Sequence, residues 1–151
     1  MTRINVIPPQ ELSDQHLIAE YHELPRCIKQ KINIDEDVPS TYKLGPGHMK
    51  WAKMHSLWLM YRYAALIQEM KHRGFKPKYT VEDLKLYWYE VEHLSGNLWY
   101  EVTLKDTKIN KQRLLDKYKQ KPAFYTWTKR EKPDYYPKHV GYLKDLLIFL
   151  S

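Results

Sequence analysis

The sequence predicts an all-α protein, a single compact domain of about four helices. Three observations carry that expectation. Apolar residues recur at helical spacing in two long stretches, near residues 14–28 and 49–73. Capping and stopping residues bracket them, with Ser13 ahead of the first and Gly74 behind the second. At 151 residues the chain is long enough to bury a real core and short enough to form one domain.

Ser13 is a good N-cap and Asp14 suits a first turn, so the first helix is expected to start at about residue 14. At about 100° per residue, Leu17, Tyr21, Leu24 and Ile28 share an apolar face, and His16, Glu20 and Glu23 line the neighbouring polar stripe. That stripe is where chemistry can sit. Pro25 removes a backbone donor and is expected to kink or end the helix. IDEDVPS, Ile34 to Ser40, is an acidic linker, and LGPGH, Leu44 to His48, supplies a tight turn. From about Met49 to Arg73 the pattern is apolar on most sides (Trp51, Met54, Leu57, Trp58, Tyr61, Ala64, Ala65, Ile67, Met70), a central buried helix. Thr80 and Asp83 cap a third helix with Leu84, Tyr87, Trp88 and Val91 on one face. A last helix is expected from near Thr107 or Asn110 to Gln120, stopped by Pro122. The apolar end, VGYLKDLLIFLS, is expected to dock on the core or to form a dimer contact.

Net charge is +7, unevenly spread. Residues 1–40 carry four Lys/Arg against seven Asp/Glu, whereas Lys105 to Lys138 holds 11 basic and four acidic side chains. That basic segment also contains Phe124, Tyr125, Trp127, Tyr135 and Tyr136. Cations release counterions from a phosphate backbone and rings stack on exposed bases, so nucleic acid is one partner it suits; a solvated basic helix with core aromatics is the other reading. The single cysteine, Cys27, allows no intramolecular disulfide and suits a reducing cytoplasm, where it is expected as a small buried hydrophobe. The longest apolar stretch is interrupted by Arg62, so no membrane span is expected. HELPR is not HExxH, and His48 with His55 lacks metal-ligand spacing, so no metal site is expected.

The terminus offers chemistry of its own. The small Thr2 permits removal of Met1, and the exposed α-amine would have a pKa of roughly 7.7–8, leaving a large neutral fraction near physiological pH. A lysine would need burial or a neighbouring cation to match it.

TRIN, SDQHLIAEY and ELPR within the first 26 residues resemble the pyrimidine dimer DNA glycosylases of the bacteriophage endonuclease V type, the dimer-excising enzymes. LGPGH, the RGF of Arg73 to Phe75, and RLLDKYKQKP ending at Pro122 resemble the same family in the same order. Residues 27–43 and 76–104 match weakly, and the tail after about residue 128 exceeds the short phage form. The division implied is a glycosylase-like helical domain over 1–128 and a C-terminal extension over 129–151, packed on the same domain.

The resemblance implies a bifunctional glycosylase and abasic-site lyase with no metal or organic cofactor, its N-terminal segment reaching the active site. By that analogy the Thr2 amine attacks C1′ of the 5′ nucleotide of a cyclobutane pyrimidine dimer, displaces the base and leaves a Schiff base. Glu23 then assists ring opening and the proton abstraction that drives β-elimination. The partner implied is double-stranded DNA carrying UV-damaged pyrimidines, met by a monomer in the cytoplasm, at the nucleoid or in a viral host. DNA contacts carry over to Arg3, Gln15, His16, Arg26, Arg113, Lys117 and Lys121, and to Phe124 and Tyr125, where the family usually has tryptophan and tyrosine. For His16 a capping or core role is an equal reading; for His48 a structural role leads over a DNA contact. His22 stands where the family commonly has arginine, which bears on affinity and lesion choice, because arginine forks two permanent donors toward phosphate and histidine does not. Two other functions stay open: the same amine chemistry on another damaged base, or a non-catalytic helical DNA-binding protein.

Overall fold

The computed structural model describes residues 3–31, 37–85 and 99–137. These residues form four α-helices and no strand: α1 Asp14–Lys29, α2 His48–Met54, α3 Ser56–His72 and α4 Leu104–Gln120. Short 3-10 turns at Pro9–Glu11, Val81–Leu84 and Pro122–Phe124 join them. Among the described residues no helix is long and apolar enough to cross a membrane.

Helix α1 starts where its cap requires, with the Ser13 hydroxyl accepting the His16 N–H at 3.1 Å. Leu17, Tyr21, Leu24 and Ile28 are all buried and pack toward α2 and α3. The helix runs through Pro25 to Lys29 rather than ending there. Cys27 is buried on this helix, and burial first, then Glu20 and Glu23, push its thiol up to about 12. It is the inert small hydrophobe expected of it.

The expected single central helix is two helices. At His55 the backbone leaves helical geometry (φ −104°, ψ 48°), and the imidazole Nδ1 lies 2.8 Å from the Trp51 carbonyl. A side chain that claims the carbonyl four residues back competes with the helix ladder. The chain restarts at once, with the Leu59 N–H donating to the His55 carbonyl at 2.9 Å. The apolar pattern is also less buried than expected, since Leu57 and Tyr61 are 41 % and 59 % exposed. Gly74 ends α3 as expected: at φ 88° its N–H returns to Lys71 and that of Phe75 to Met70, a Schellman closure. The LGPGH turn uses Gly45 and Gly47 at φ 82° and 87° to enter α2.

Thr80 and Asp83 do form a capping box, the Thr80 N–H donating to the Asp83 carboxylate at 2.6 Å, and it opens a 3-10 turn at Val81–Leu84. Leu84 is buried there, while Tyr87, Trp88 and Val91 lie outside the described residues, as do Ile34 to Glu36 of the acidic linker and the apolar tail. Helix α4 begins earlier than Thr107. Thr103 and Asp106 form a second capping box, with N–H to oxygen distances of 3.1 and 3.0 Å, and set the start at Leu104.

Two buried ion networks hold the helices together. Glu20 accepts the Arg62 Nε at 2.8 Å and Nη2 at 2.9 Å, while Arg62 also donates to the Ile7 carbonyl. Arg73, the arginine of RGF, donates to Glu69 at 2.8 Å and Asp14 at 2.9 Å, and reaches the Pro9 and Gln10 carbonyls. Arg130 closes on the same Glu69 at 2.8 Å, and Tyr136 is buried against Tyr118 and Trp127, so residues through 136 pack on the helical core.

Candidate active site

The chain from Arg3 to Ile7 belongs to no helix or sheet, so its peptide groups need other partners. Side chains supply them. The Arg3 N–H donates to Glu23 Oε2 at 2.8 Å, and the Ile4 N–H to His48 Nε2 at 2.8 Å. Asn110 Oδ1 accepts from both Val6 N–H at 2.7 Å and Ile7 N–H at 3.2 Å. The Ile4 carbonyl takes the Tyr42 hydroxyl at 2.9 Å. Asn5 joins the two halves of this frame, donating to Glu20 at 2.7 Å and accepting from Asn110 at 2.7 Å. Five side chains from four stretches of sequence thereby converge on one extended arm.

The polar stripe of α1 divides into three roles. Glu20 is fully committed to Arg62 and Asn5 and is buried, so it is a structural carboxylate. Glu23 is half-buried and binds the arm closest to the chain's start. His16 stacks on Tyr125 with ring centroids 4.7 Å apart and planes 15° from parallel, and its Nδ1 lies 2.9 Å from the Ser13 hydroxyl. Burial first, then the positive charges of Arg113 and Lys117, push its pKa down to about 4, so its ring is neutral at pH 7. Its contacts with Ser13 and Tyr125 suit a capping and packing role.

Arg113 projects from α4 toward the same place. Burial and then Arg3 lower its pKa, while Tyr42, Glu23 and Glu20 act in the opposite direction. Arg113 and Lys117, one turn apart, line a surface cleft of about 610 Å³ whose floor includes Leu44 and Ile109. Lys121 is exposed at the C-terminal cap of α4. Phe124 is 56 % exposed and meets Tyr125 edge-on at 5.2 Å. Trp127, by contrast, is spent on structure, its indole N–H donating to the Glu11 carbonyl at 3.0 Å.

His22 and Arg26 are exposed on another face of α1. With Tyr21, Tyr63, Tyr79 and Leu84 they line a separate hollow of about 450 Å³. Gln15 pairs its side-chain amide with Thr126 in both directions, at 3.1 and 3.0 Å, and so pins the segment after α4. Thr2 lies outside the described residues.

Arg3, Glu23, His16, Arg113, Lys117 and Tyr125 are thus brought together by the fold, and His22 and Arg26 open onto its flank. Sequence reasoning missed Asn5, Tyr42 and Asn110 as the frame of the arm. A buried asparagine on the same helix stripe as Leu114 and Tyr118 was the available signal, since an interior amide needs partners. The arm, α1, the LGPGH turn, α2 and α3 all fall within residues 1–83, the stretch matched by the family model described as pyrimidine dimer DNA glycosylase; the chain belongs to this family of DNA-repair glycosylases and abasic-site lyases.

Proposed function

We propose that this protein excises the 5′ base of a cyclobutane pyrimidine dimer in duplex DNA, with the Thr2 amine as nucleophile and Glu23 as the carboxylate that manages protons. The observation that carries the reading is the 2.8 Å bond from Arg3 N–H to Glu23 Oε2. Thr2 precedes Arg3 by one peptide unit, and one residue of chain spans at most about 3.8 Å. Covalent geometry therefore keeps a residue-2 amine in the neighbourhood of Glu23.

The neutral amine attacks C1′, and the glycosidic bond breaks with its electron pair going to the base, which gains a proton. Opening of the sugar ring, with O4′ taking a proton, leaves an iminium between C1′ and the amine. That cation acidifies C2′–H and is stabilised by the Glu23 carboxylate. Glu23 removes the C2′ proton, the electron pair shifts toward the iminium, and the 3′ phosphate leaves. Water then hydrolyses the Schiff base and restores the amine. Arg113 and Lys117 hold phosphates of the same strand across the cleft, with Arg3 and Lys121 beside them. Gln15, His16, Phe124 and Tyr125 border the DNA, and His22 and Arg26 contact it from the flank.

Borohydride trapping on two duplexes tests this reading, one duplex carrying a defined thymine dimer and the other an abasic site. A covalent complex on both supports amine chemistry and the dimer substrate together. Trapping on the abasic duplex alone favours a second reading, in which the same chemistry acts on another damaged base. His22 at the rim of the 450 Å³ hollow, where relatives commonly carry arginine, is the observation favouring it. No trapping on either duplex would overturn both.

A further inference from the structure

A chain end has one neighbour only, so its position is inherited from whatever grips the residues behind it. Here that grip is centred on Ile4. His48 Nδ1 lies 2.8 Å from the Lys43 carbonyl, and because a carbonyl only accepts, Nδ1 carries the hydrogen. Nε2 is then a bare lone pair, and it takes the Ile4 N–H at 2.8 Å. Tyr42 donates to the Ile4 carbonyl at 2.9 Å, so both flanks of this residue are gripped. The imidazole is 1 % exposed, with the Trp51 ring stacked on it at 5.8 Å and the Tyr42 ring edge-on at 5.7 Å. The ring can neither tip nor exchange its two nitrogens without losing a bond on one side.

We propose that His48 is a positioning residue for the N-terminal nucleophile, its Nε2 lone pair setting the arm so that the amine two residues upstream of Ile4 meets Glu23. The inference rests on the amine chemistry proposed above. A histidine that only filled the core would be satisfied by any polar partner; this one spends its single acceptor on the arm nearest the reacting end. Displacing Ile4 strains the neighbouring Arg3 peptide and its N–H bond to Glu23, because the two residues share one stretch of backbone.

The test compares wild type, His48→Leu and His48→Gln in single-turnover borohydride trapping on an abasic duplex, with the dissociation constant for that duplex and amide exchange at Ile4 measured alongside. His48→Leu should trap about 10²-fold more slowly while binding DNA within about threefold of wild type, because misplacement costs rate rather than affinity. His48→Gln keeps an acceptor at comparable reach and should recover most of the lost rate. A folded His48→Leu that traps at the wild-type rate, loses rate and affinity in proportion, or leaves Ile4 exchange unchanged overturns the proposal. Should His48→Leu not fold, the nitrogen-15 spectrum of the wild-type imidazole still decides: an Nε2–H tautomer overturns it, and Nδ1–H with a trapping-competent His48→Gln supports it. Failure of wild type to trap removes the amine chemistry itself, and the positioning role falls with it.

Discussion

The backbone N–H of Arg3 donates to the Glu23 carboxylate across 20 residues of sequence. One oxygen of the carboxylate is thereby occupied by the arm itself. Any change that shifts the arm shifts the carboxylate's environment, and the reverse. Arg3 and Glu23 are therefore coupled through this bond.

That coupling makes the N-terminus sensitive to length. Protein that keeps Met1, or carries extra residues ahead of Thr2, is expected to lose both base excision and nicking, because its reactive nitrogen becomes an amide or sits a residue too far out. Full activity with Met1 attached, established by mass spectrometry of the assayed protein, would exclude the Thr2 amine. Glu23→Gln should bind the duplex normally and fail to nick, since an amide still accepts from Arg3 but takes no proton from C2′.

Arg113 and Lys117 face the cleft of α4 on one side of the site. Replacing either with alanine should weaken binding to damaged and undamaged duplex alike, and reduce the slope of log K against log salt by about 1. A loss confined to damaged DNA would mean that these side chains read the lesion rather than the backbone.

Glu20 and Arg62 are 0 % and 6 % exposed as side chains, so removing one partner strands a buried charge. Arg62→Ala is expected to cost about 3–5 kcal/mol in urea unfolding. The exposed Glu82–Lys85 pair at 3.4 Å supplies the contrast, and Lys85→Ala should change stability by no more than about 0.5 kcal/mol.

Acid should unfold the protein in two stages. His16 binds a proton near 6.5 when unfolded but only near about 4 when folded, so between those values the unfolded state holds more protons and stability falls as pH falls. His48 and His55, lowered chiefly by burial, add to the loss in the same direction. Further down, Asp14 and Glu69 take over. Burial pushes both carboxyls up, but Thr126, Thr128 and Arg73 on Asp14, and Arg130 and Arg73 on Glu69, outweigh it and hold both low. A carboxylate held low stabilises the fold above its unfolded value and loses that stabilisation as pH falls through its folded one. Urea midpoints measured against pH should show both limbs, and His16→Gln should flatten the upper one.

Much of the architecture was legible in local chemistry. The Ser13 cap, the four-residue apolar face of α1, the Gly45 and Gly47 turn, the Gly74 closure and the stop before Pro122 all follow from rules that act within one turn of chain. Where a second local claimant existed, reading it correctly was harder. The His55 imidazole competes for the Trp51 carbonyl without any glycine or proline to announce a break, and the Thr103–Asp106 box starts α4 ahead of the Thr107 and Asn110 positions that also suit a cap.

By itself the sequence determined the helical class and the family. Only the tertiary structure decided which stripe residues were available for chemistry. Glu20 and Glu23 look alike on a helical projection, yet Arg62, 42 residues away, takes the first and leaves the second beside the arm. The arm itself is held by Asn110, 104 residues from Val6. Such partnerships cannot be read from spacing, because an extended segment outside any helix or sheet has no periodic hydrogen-bond pattern, and its place is fixed by whichever distant side chains satisfy its peptide groups.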